Sequence, residues 1–153
     1  FETLEHVYEP LRTLAEVKRI LKPGGMVSIE VPNWDGLTRP LFGSCWFPLL
    51  LPTHLQHFSR KTLALCAERA GLEVVHHQAM FFPFEITGSL GLVISRSLGH
   101  MPDEKKSRLR RLVDVPVYTF LILFLILIDI PLTFWLRWFG RSGHQTLVAR
   151  RPV

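Results

Sequence analysis

Two carboxylates and an imidazole stand close together near the start of the chain, at Glu2, Glu5 and His6. With this spacing, the three side chains could converge on a hard divalent cation such as Mg²⁺. In the alternative interpretation, Glu5 and His6 cap the following helix and support a cofactor pocket, while Glu2 faces solvent. Both interpretations make this trio the first place to look for chemistry.

A second pair of titratable side chains, His54 and His57, flanks Leu55-Gln56 just before a helix. An imidazole titrates near neutral pH, so one of the two could act as a general base on an acceptor hydroxyl. The alternative is structural: ring packing and backbone hydrogen bonds from these histidines would fix a lid over the sheet.

A polar residue and several aromatic side chains follow the first predicted strand. Asn33 comes directly after that strand, where ligands bind in open α/β sheets. Trp34, Trp46 and Phe47 could form apolar walls for a ring or a prenyl chain, and His54 could contact the same substrate. Ordinary packing of the loop explains the three aromatic side chains equally well.

The elements that must position these residues follow an alternating helix and strand pattern. Apolar spacing predicts a helix that ends at Lys22, before Pro23-Gly24, and Ser59 is a predicted N-cap for a second helix that ends at Gly71. Strands are predicted at 26–31, 72–79 and 144–150, with the first a buried parallel strand, and irregular regions at 33–55 and 80–91.

Two ordered motif blocks carry a family resemblance. The first is Leu4-Glu5-His6-Val7, Leu21-Lys22-Pro23-Gly24-Gly25 and Val31-Pro32-Asn33; the second runs from Phe42-Gly43 through Pro52-Thr53-His54-Leu55-Gln56-His57-Phe58-Ser59 to Glu73. Together they resemble the class I S-adenosylmethionine-dependent methyltransferases, and they look similar to the quinone-biosynthesis O-methyltransferase branch. Residues 144–152 are loosely similar to the last strand of that group.

The resemblance implies a fold, a cofactor and roles for individual residues. The fold would be α/β, a Rossmann-like methyltransferase sheet of which this chain is the C-terminal portion, with an apolar helical insertion before the last strand. S-adenosylmethionine would be the cofactor, with Glu5 and His6 at its site and His6 and His57 in catalysis. In the quinone branch a similar Glu-x-x-Glu-His segment is associated with a metal, which implies a divalent cation such as Mg²⁺ at Glu2, Glu5 and His6.

The resemblance also predicts three regions: residues 1–95 as the C-terminal half of a methyltransferase domain, 96–143 as a basic and apolar helical insertion, and 144–153 as the closing strand. It places the family's Gly-rich cofactor loop and ribose-binding acid upstream of Phe1. We therefore expect this stretch by itself to bind the cofactor weakly or not at all and to be inactive.

Charge and hydropathy are unevenly distributed. Residues 1–95 hold 8 Lys/Arg against 9 Asp/Glu, whereas residues 96–153 hold 10 against 4. The basic excess surrounds an apolar segment at 115–136 that is interrupted by Asp129 and Pro131, which suggests a membrane surface rather than nucleic acid. Lys105, Lys106, Arg108, Arg110 and Arg111 before this segment, with Trp135, Arg137 and Trp138 at its far end, resemble interfacial anchors.

Three interpretations of this apolar segment remain open. It could form a hairpin that breaks at Asp129-Pro131 and dips into one leaflet, it could pack as a lid helix on the domain, or it could span the bilayer. A spanning segment would leave residues 144–150 unable to return to the sheet. The first interpretation predicts a cytoplasmic protein that is peripheral or monotopic at the membrane.

We therefore expect methyl transfer to a small, apolar or lipid-like acceptor, with a hydroxyl favoured. The alternative is a non-catalytic, membrane-anchored binding module derived from a methyltransferase. The sequence predicts no nucleic-acid partner, and it does not determine the oligomeric state.

Overall fold

The computed structural model describes residues 3–97 and 108–153, with the side chains of residues 3–97 and 123–153. Five α-helices and three strands occur in this part of the chain, with one or two α-helices before each strand. Helix α1 spans Pro10–Ile20, α2 Thr38–Phe42, α3 Arg60–Arg69, α4 Glu85–Ser97 and α5 Arg108–Trp138. Strand β1 spans Met26–Pro32, β2 Glu73–Met80 and β3 His144–Arg150, and short 3-10 turns occur at Leu4–His6, Gly43–Cys45 and Phe47–Leu49.

The three described strands form one sheet in the order β1-β3-β2. Strand β3 lies between the other two and is antiparallel to both, so β1 and β2 run parallel to each other without pairing. The sequence predicted a parallel strand at 26–31. Strand β1 does run parallel to β2, but the strand it pairs with among the described residues is β3, which is antiparallel to it. The register pairs Pro32 with His144, which places the end of β1 beside the start of β3.

The core lies between this sheet and helices α1 and α3. Leu14 of α1, Ile29 of β1, Leu63 of α3 and Leu147 of β3 are completely buried. Helix α3 begins with a capping box, in which Ser59 and Thr62 exchange side-chain to backbone hydrogen bonds and satisfy two backbone donors of the first turn. The predicted N-cap at Ser59 is confirmed.

The irregular stretch 33–55 contains more regular structure than the sequence suggested, because α2 and two of the 3-10 turns lie within it. The predicted loop at 80–91 is wrong, since α4 begins at Glu85. The Asp129 carboxylate accepts a hydrogen bond from the Thr87 backbone N–H, 2.7 Å away, and so satisfies a donor in the first turn of α4. This long-range contact supports a helix that Gly88 and Gly91 weaken locally.

Helix α5 runs without interruption through Asp129 and Pro131. The predicted hairpin break at these residues is wrong, because Pro131 removes only one intrahelical donor and Asp129 is held against α4. Among the described residues, no helix combines the length and the apolar character needed to cross a bilayer. The side chains of the predicted anchors at 105–111 lie outside the part of the chain that the structure describes.

Candidate active site at the carboxyl end of the first strand

Two backbone hydrogen bonds join the segment after Thr53 to the start of the chain. The N–H groups of Leu55 and Gln56 both donate to the Glu5 carbonyl oxygen, at 2.8 and 3.0 Å. A parallel bridge between Asn33 and Phe58 attaches the same segment to the end of β1. These contacts bring His54 next to Glu5 and His6, at the edge of the sheet where α/β proteins bind ligands.

Glu5, His6 and His54 form a compact cluster. Each offers one metal-ligating atom, and the three atoms lie within 4.8 Å of one another. The Nε2 atom of His6 is 3.9 Å from Oε1 of Glu5. The sequence predicts Glu5 and His6 in one site and His54 in contact with substrate, and the structure brings all three together.

Backbone carbonyls fix the orientation of both imidazole rings. The Nδ1–H of His54 donates to the Pro48 carbonyl oxygen at 2.8 Å, and the Nδ1–H of His6 donates to that of Thr53 at 3.0 Å. A carbonyl oxygen only accepts, so in each neutral ring the proton is on Nδ1 and the lone pair is on Nε2. Burial lowers the pKa of His54, which favours this neutral form at neutral pH.

Glu5 is buried, with only 5% of the residue exposed. Within the described part of the chain, its Oε2 atom has no hydrogen-bond partner. A buried carboxylate oxygen without a donor is costly, so such an atom calls for a ligand. The cluster therefore pairs an unsatisfied carboxylate with two Nε2 lone pairs.

This donor set fits a divalent cation. Histidines that donate Nδ1–H to a backbone carbonyl and keep Nε2 free have the arrangement found in metal sites. Two imidazole nitrogens and one carboxylate oxygen favour Zn²⁺ or Co²⁺ over Mg²⁺, which prefers oxygen ligands. Glu2, the third ligand expected from the sequence, lies outside the described residues.

His57, predicted to be catalytic, lies beside this cluster and makes different contacts. Its Nε2–H donates to the Leu49 carbonyl oxygen over a long distance of 3.3 Å. Its ring lies 5.1 Å from that of Trp34, which is 36% exposed. Trp34 thus stands at the rim of the site, and the roles of His57 and Trp34 stay predictions.

Asn33 and Trp46, predicted to contact substrate, are both buried. The Asn33 side-chain amide donates to the Ser142 carbonyl oxygen at 2.9 Å and accepts from the Asp35 N–H at 3.1 Å. The Trp46 indole N–H points at the Thr38 hydroxyl, 3.1 Å away. Both side chains support the turns around the site in this arrangement, and their contact with a substrate stays a prediction.

Glu85 is a buried carboxylate that no motif of the sequence indicated. It is completely buried and accepts hydrogen bonds from the Thr38 hydroxyl, the Trp46 indole and the Gly143 N–H. Burial raises its pKa, and these three donors oppose the rise. Its contacts join α4 to α2 and to the turn before β3, so its role is to hold the loops around the site.

Two further polar residues near the site come from β3. The Gln145 amide donates to the carbonyl oxygens of Pro32 and Phe58, at 3.2 and 2.8 Å. His144 stacks on Phe82 with ring centroids 3.9 Å apart. Burial, together with the nearby His54, lowers the pKa of His144 to about 4. The sequence predicted the closing strand that carries both residues, but their position beside the end of β1 follows from the register of the sheet.

A profile of the methyltransferase domain family matches residues 1–77, which is half of the chain. This chain therefore belongs to the methyltransferase domain family. The matched region contains the Glu5, His6 and His54 cluster and strand β1.

A curated protein of Streptomyces fradiae, described as an uncharacterized 37.1 kDa protein in transposon TN4556, is 49% identical over 35 residues. That match covers 23% of this chain and 10% of the curated protein.

Solved structures support the same fold. A complex of the Haloferax volcanii Trm112 methyltransferase activator with a methyltransferase gives a TM-score of 0.52 at 16% identity, covering 99% of this chain and 51% of that one. A structure from Thermotoga maritima, described as an S-adenosylmethionine-dependent methyltransferase, gives a TM-score of 0.50 at 16% identity. The match covers 97% of this chain and 52% of that one. The chain thus spans about half the length of these structures.

The fold is that of the class I S-adenosylmethionine-dependent methyltransferases, and the α/β, Rossmann-like prediction is confirmed. The assignment to the quinone-biosynthesis branch stays a prediction. So does the division into regions 1–95, 96–143 and 144–153.

Proposed function

We propose that this chain forms the acceptor side of an S-adenosylmethionine-dependent methyltransferase that methylates a hydroxyl group of a small, apolar or lipid-like acceptor. Membership of the methyltransferase domain family supports the reaction type. The observation that carries the proposal is the convergence of Glu5, His6 and His54 at the carboxyl end of β1. It places proton-accepting nitrogens at the edge of the sheet where the acceptor would lie.

The proposed reaction is an in-line displacement. The acceptor oxygen attacks the methyl carbon of S-adenosylmethionine, the carbon–sulfur bond breaks, and S-adenosylhomocysteine leaves. The hydroxyl proton passes to Nε2 of His54, which is neutral because burial lowers its pKa. Positioning of the two reactants provides most of the remaining acceleration.

The surroundings of His54 suit a general base. The Pro48 carbonyl oxygen holds the ring by its Nδ1–H. The carboxylate of Glu5 lies beside the ring and would stabilise the imidazolium that forms, in the way a buried acid supports a catalytic histidine. Because His57 directs its own Nε2–H at a carbonyl oxygen, His54 is the better placed of the two.

The unpaired Oε2 atom of Glu5 favours a second occupant of the same cluster, a divalent cation held by Glu5, His6 and His54. Such a cation would lower the pKa of an acceptor hydroxyl when bound. The single Nε2 lone pair of His54 cannot both accept a proton and ligate a metal. General-base and metal-assisted reactions are therefore distinguishable alternatives for this site.

The test uses the full-length protein. Titration with S-adenosylhomocysteine should show binding, and labelled S-adenosylmethionine should transfer its methyl group to phenolic acceptors with isoprenoid side chains. His54→Asn should lower kcat roughly a hundredfold or more without weakening cofactor binding, since it removes the base alone. His76→Asn, at an exposed histidine of β2, is the control.

Two results would overturn parts of this proposal. A full-length protein that binds no S-adenosylhomocysteine would be a non-catalytic binding module. If a chelator abolishes the activity and Zn²⁺ or Co²⁺ restores it, His54 is a metal ligand and does not act as the general base. Activity that resists chelation supports the general base.

A further inference from the structure

The part of α5 from residue 123 to 138 has two polar side chains, Asp129 and Thr133, turned toward the protein. Asp129 and Thr133 are at most 1% exposed, and they share the inner face with Leu136. Exposed apolar side chains cover the other faces: Leu123, Phe124, Leu127, Ile128, Ile130, Leu132, Phe134, Trp135 and Trp138. A helix on a domain surrounded by water has the opposite pattern.

A hydrogen bond between two helices sets this orientation: the Asp129 carboxylate accepts from the Thr87 N–H of α4 at 2.7 Å. The Thr133 hydroxyl is satisfied within α5, where it donates to the Asp129 carbonyl oxygen at 2.7 Å. Rotating α5 to bury its apolar side chains would break the contact with α4 and leave the Asp129 carboxylate without this donor. The exposed apolar face is therefore built into the fold, and a patch of this extent marks an interaction site.

The C-terminal end of α5 carries aromatic and basic side chains. The rings of Trp135 and Phe139 lie 4.7 Å apart, and Arg137 and Arg141 are exposed. Tryptophan and arginine at the end of an apolar helix are typical of the boundary between lipid and water. The only acid of the segment 123–141, Asp129, is on the buried face.

A cleft of about 530 Å³ adjoins this end of α5, and Arg39, Arg60, Phe139 and Arg141 contribute to its lining. The Arg39 guanidinium lies 4.3 Å from the centre of the Trp34 ring. Asp35 also lines the cleft, but its Oδ2 already accepts the Arg60 backbone N–H at 3.0 Å. Guanidinium groups bind phosphate oxygens well, so this cleft suits an anionic headgroup.

We propose that these two features form one docking surface for an anionic lipid bilayer. The docking surface consists of the exposed apolar side chains of α5 at 123–138 and the cleft with Arg39, Arg60 and Arg141. The apolar side chains enter the outer part of one leaflet, and the guanidinium groups face lipid phosphates. The excess of 10 Lys/Arg over 4 Asp/Glu in residues 96–153 matches an anionic surface.

This proposal does not depend on the methyl-transfer reaction, because its readout is binding to vesicles. Full-length protein is floated with vesicles of phosphatidylcholine, alone or mixed with phosphatidylglycerol. We expect flotation with the mixed vesicles and a weaker association when salt is raised or phosphatidylglycerol is omitted. Protein that stays at the bottom of the gradient with both vesicles would overturn the proposal.

Variants locate the contact on the docking surface. Leu127→Gln combined with Trp135→Gln changes two exposed side chains and should lower the vesicle partition coefficient roughly tenfold or more. Arg39→Gln and Arg141→Gln should each lower the partition coefficient roughly fivefold for vesicles that contain phosphatidylglycerol, and should not change it for phosphatidylcholine alone. The matched control is Tyr8→Gln combined with Ile20→Gln, also exposed but on or beside α1.

Two outcomes of the variants contradict the proposal. If the Leu127 and Trp135 variant floats as well as the control, lipid is bound elsewhere. If light scattering shows an oligomer that this variant dissociates, a second copy of the chain covers the apolar face instead. Circular dichroism of each variant confirms that its helices are retained.

Discussion

The imidazole ring of His54 meets that of His6 edge to face, with the ring centroids 4.7 Å apart. The two rings come from distant parts of the chain, and each donates its Nδ1–H to a carbonyl oxygen in the segment 48–53. One short segment therefore fixes both rings and leaves both Nε2 lone pairs available near Glu5. The cluster therefore offers two imidazole nitrogen lone pairs and one carboxylate to a ligand.

Glu5→Gln removes that carboxylate charge while keeping its shape. We expect binding of Co²⁺, followed by its visible absorption and by calorimetry, to weaken by roughly a hundredfold, because a charged ligand is lost. The metal-free protein should be as stable as the unchanged protein or more so, since an unpaired buried carboxylate disappears. Glu9→Gln, at an exposed acid, is the control. Equal Co²⁺ binding by both variants would rule out Glu5 as a ligand.

His144 should make stability depend on pH. Its pKa is lowered to about 4 in the folded protein, against about 6.5 when unfolded, so the unfolded state binds the proton more tightly. The free energy of unfolding should fall by up to about 3 kcal/mol as the pH drops from 6.5 to 4. Urea denaturation at a series of pH values measures this slope.

His144→Phe keeps the stacking on Phe82 and removes the titration, so the slope should flatten between those pH values. His76→Phe serves as the control, because the exposed His76 is hydrated in both states. An unchanged slope in His144→Phe would mean that other groups cause the acid sensitivity.

Gly143→Ala should destabilise the fold strongly. A Cβ atom at Gly143 would clash with the Glu85 carboxylate, and the same carboxylate accepts the Gly143 N–H at 2.9 Å. Displacing it would also break its bonds to Thr38 and Trp46, and we expect a loss of about 2–4 kcal/mol in urea denaturation. Gly91→Ala in α4 meets nothing within 4 Å and should instead stabilise by about 0.5–1 kcal/mol.

Asp129→Ala should lower the free energy of unfolding by about 1–3 kcal/mol, because the Thr87 N–H loses its acceptor in a partly buried contact. Hydrogen exchange at the Thr87 amide should accelerate more than exchange in β1. Asp129→Asn keeps an acceptor and should cost less. Glu73→Ala removes an acid from an exposed ion pair with Arg150 and should change stability by less than about 1 kcal/mol.

Local sequence signals were enough to predict the strands of the sheet and the helices α1 and α3 that pack on it. Strand β3 begins at His144 and ends at Arg150, as predicted, because Gly143 and Pro152 are strand-breaking residues on either side of it. Helix α3 begins where Ser59 predicts it, since its capping box needs only residues within one turn. Strand β2 lies one residue from its predicted position.

The remaining structure depends on contacts between distant residues. Helix α4 contains glycines that argue against a helix locally, and Asp129 supports it from far along the chain. The same contact explains why α5 passes through Pro131 without a break. His54 joins Glu5 and His6 through backbone hydrogen bonds of Leu55 and Gln56, which no spacing rule can predict.

The central place of β3 has a consequence for how the protein is made. Because β3 pairs with both β1 and β2, the middle of this sheet stays vacant until Arg150 has left the ribosome. Until then the facing edges of β1 and β2 offer unpaired backbone groups to other chains. Pairing of Met26 with Arg150 also requires the closure of a very long loop, which slows folding. We therefore expect newly synthesised chains to depend on chaperones up to the moment when β3 is inserted.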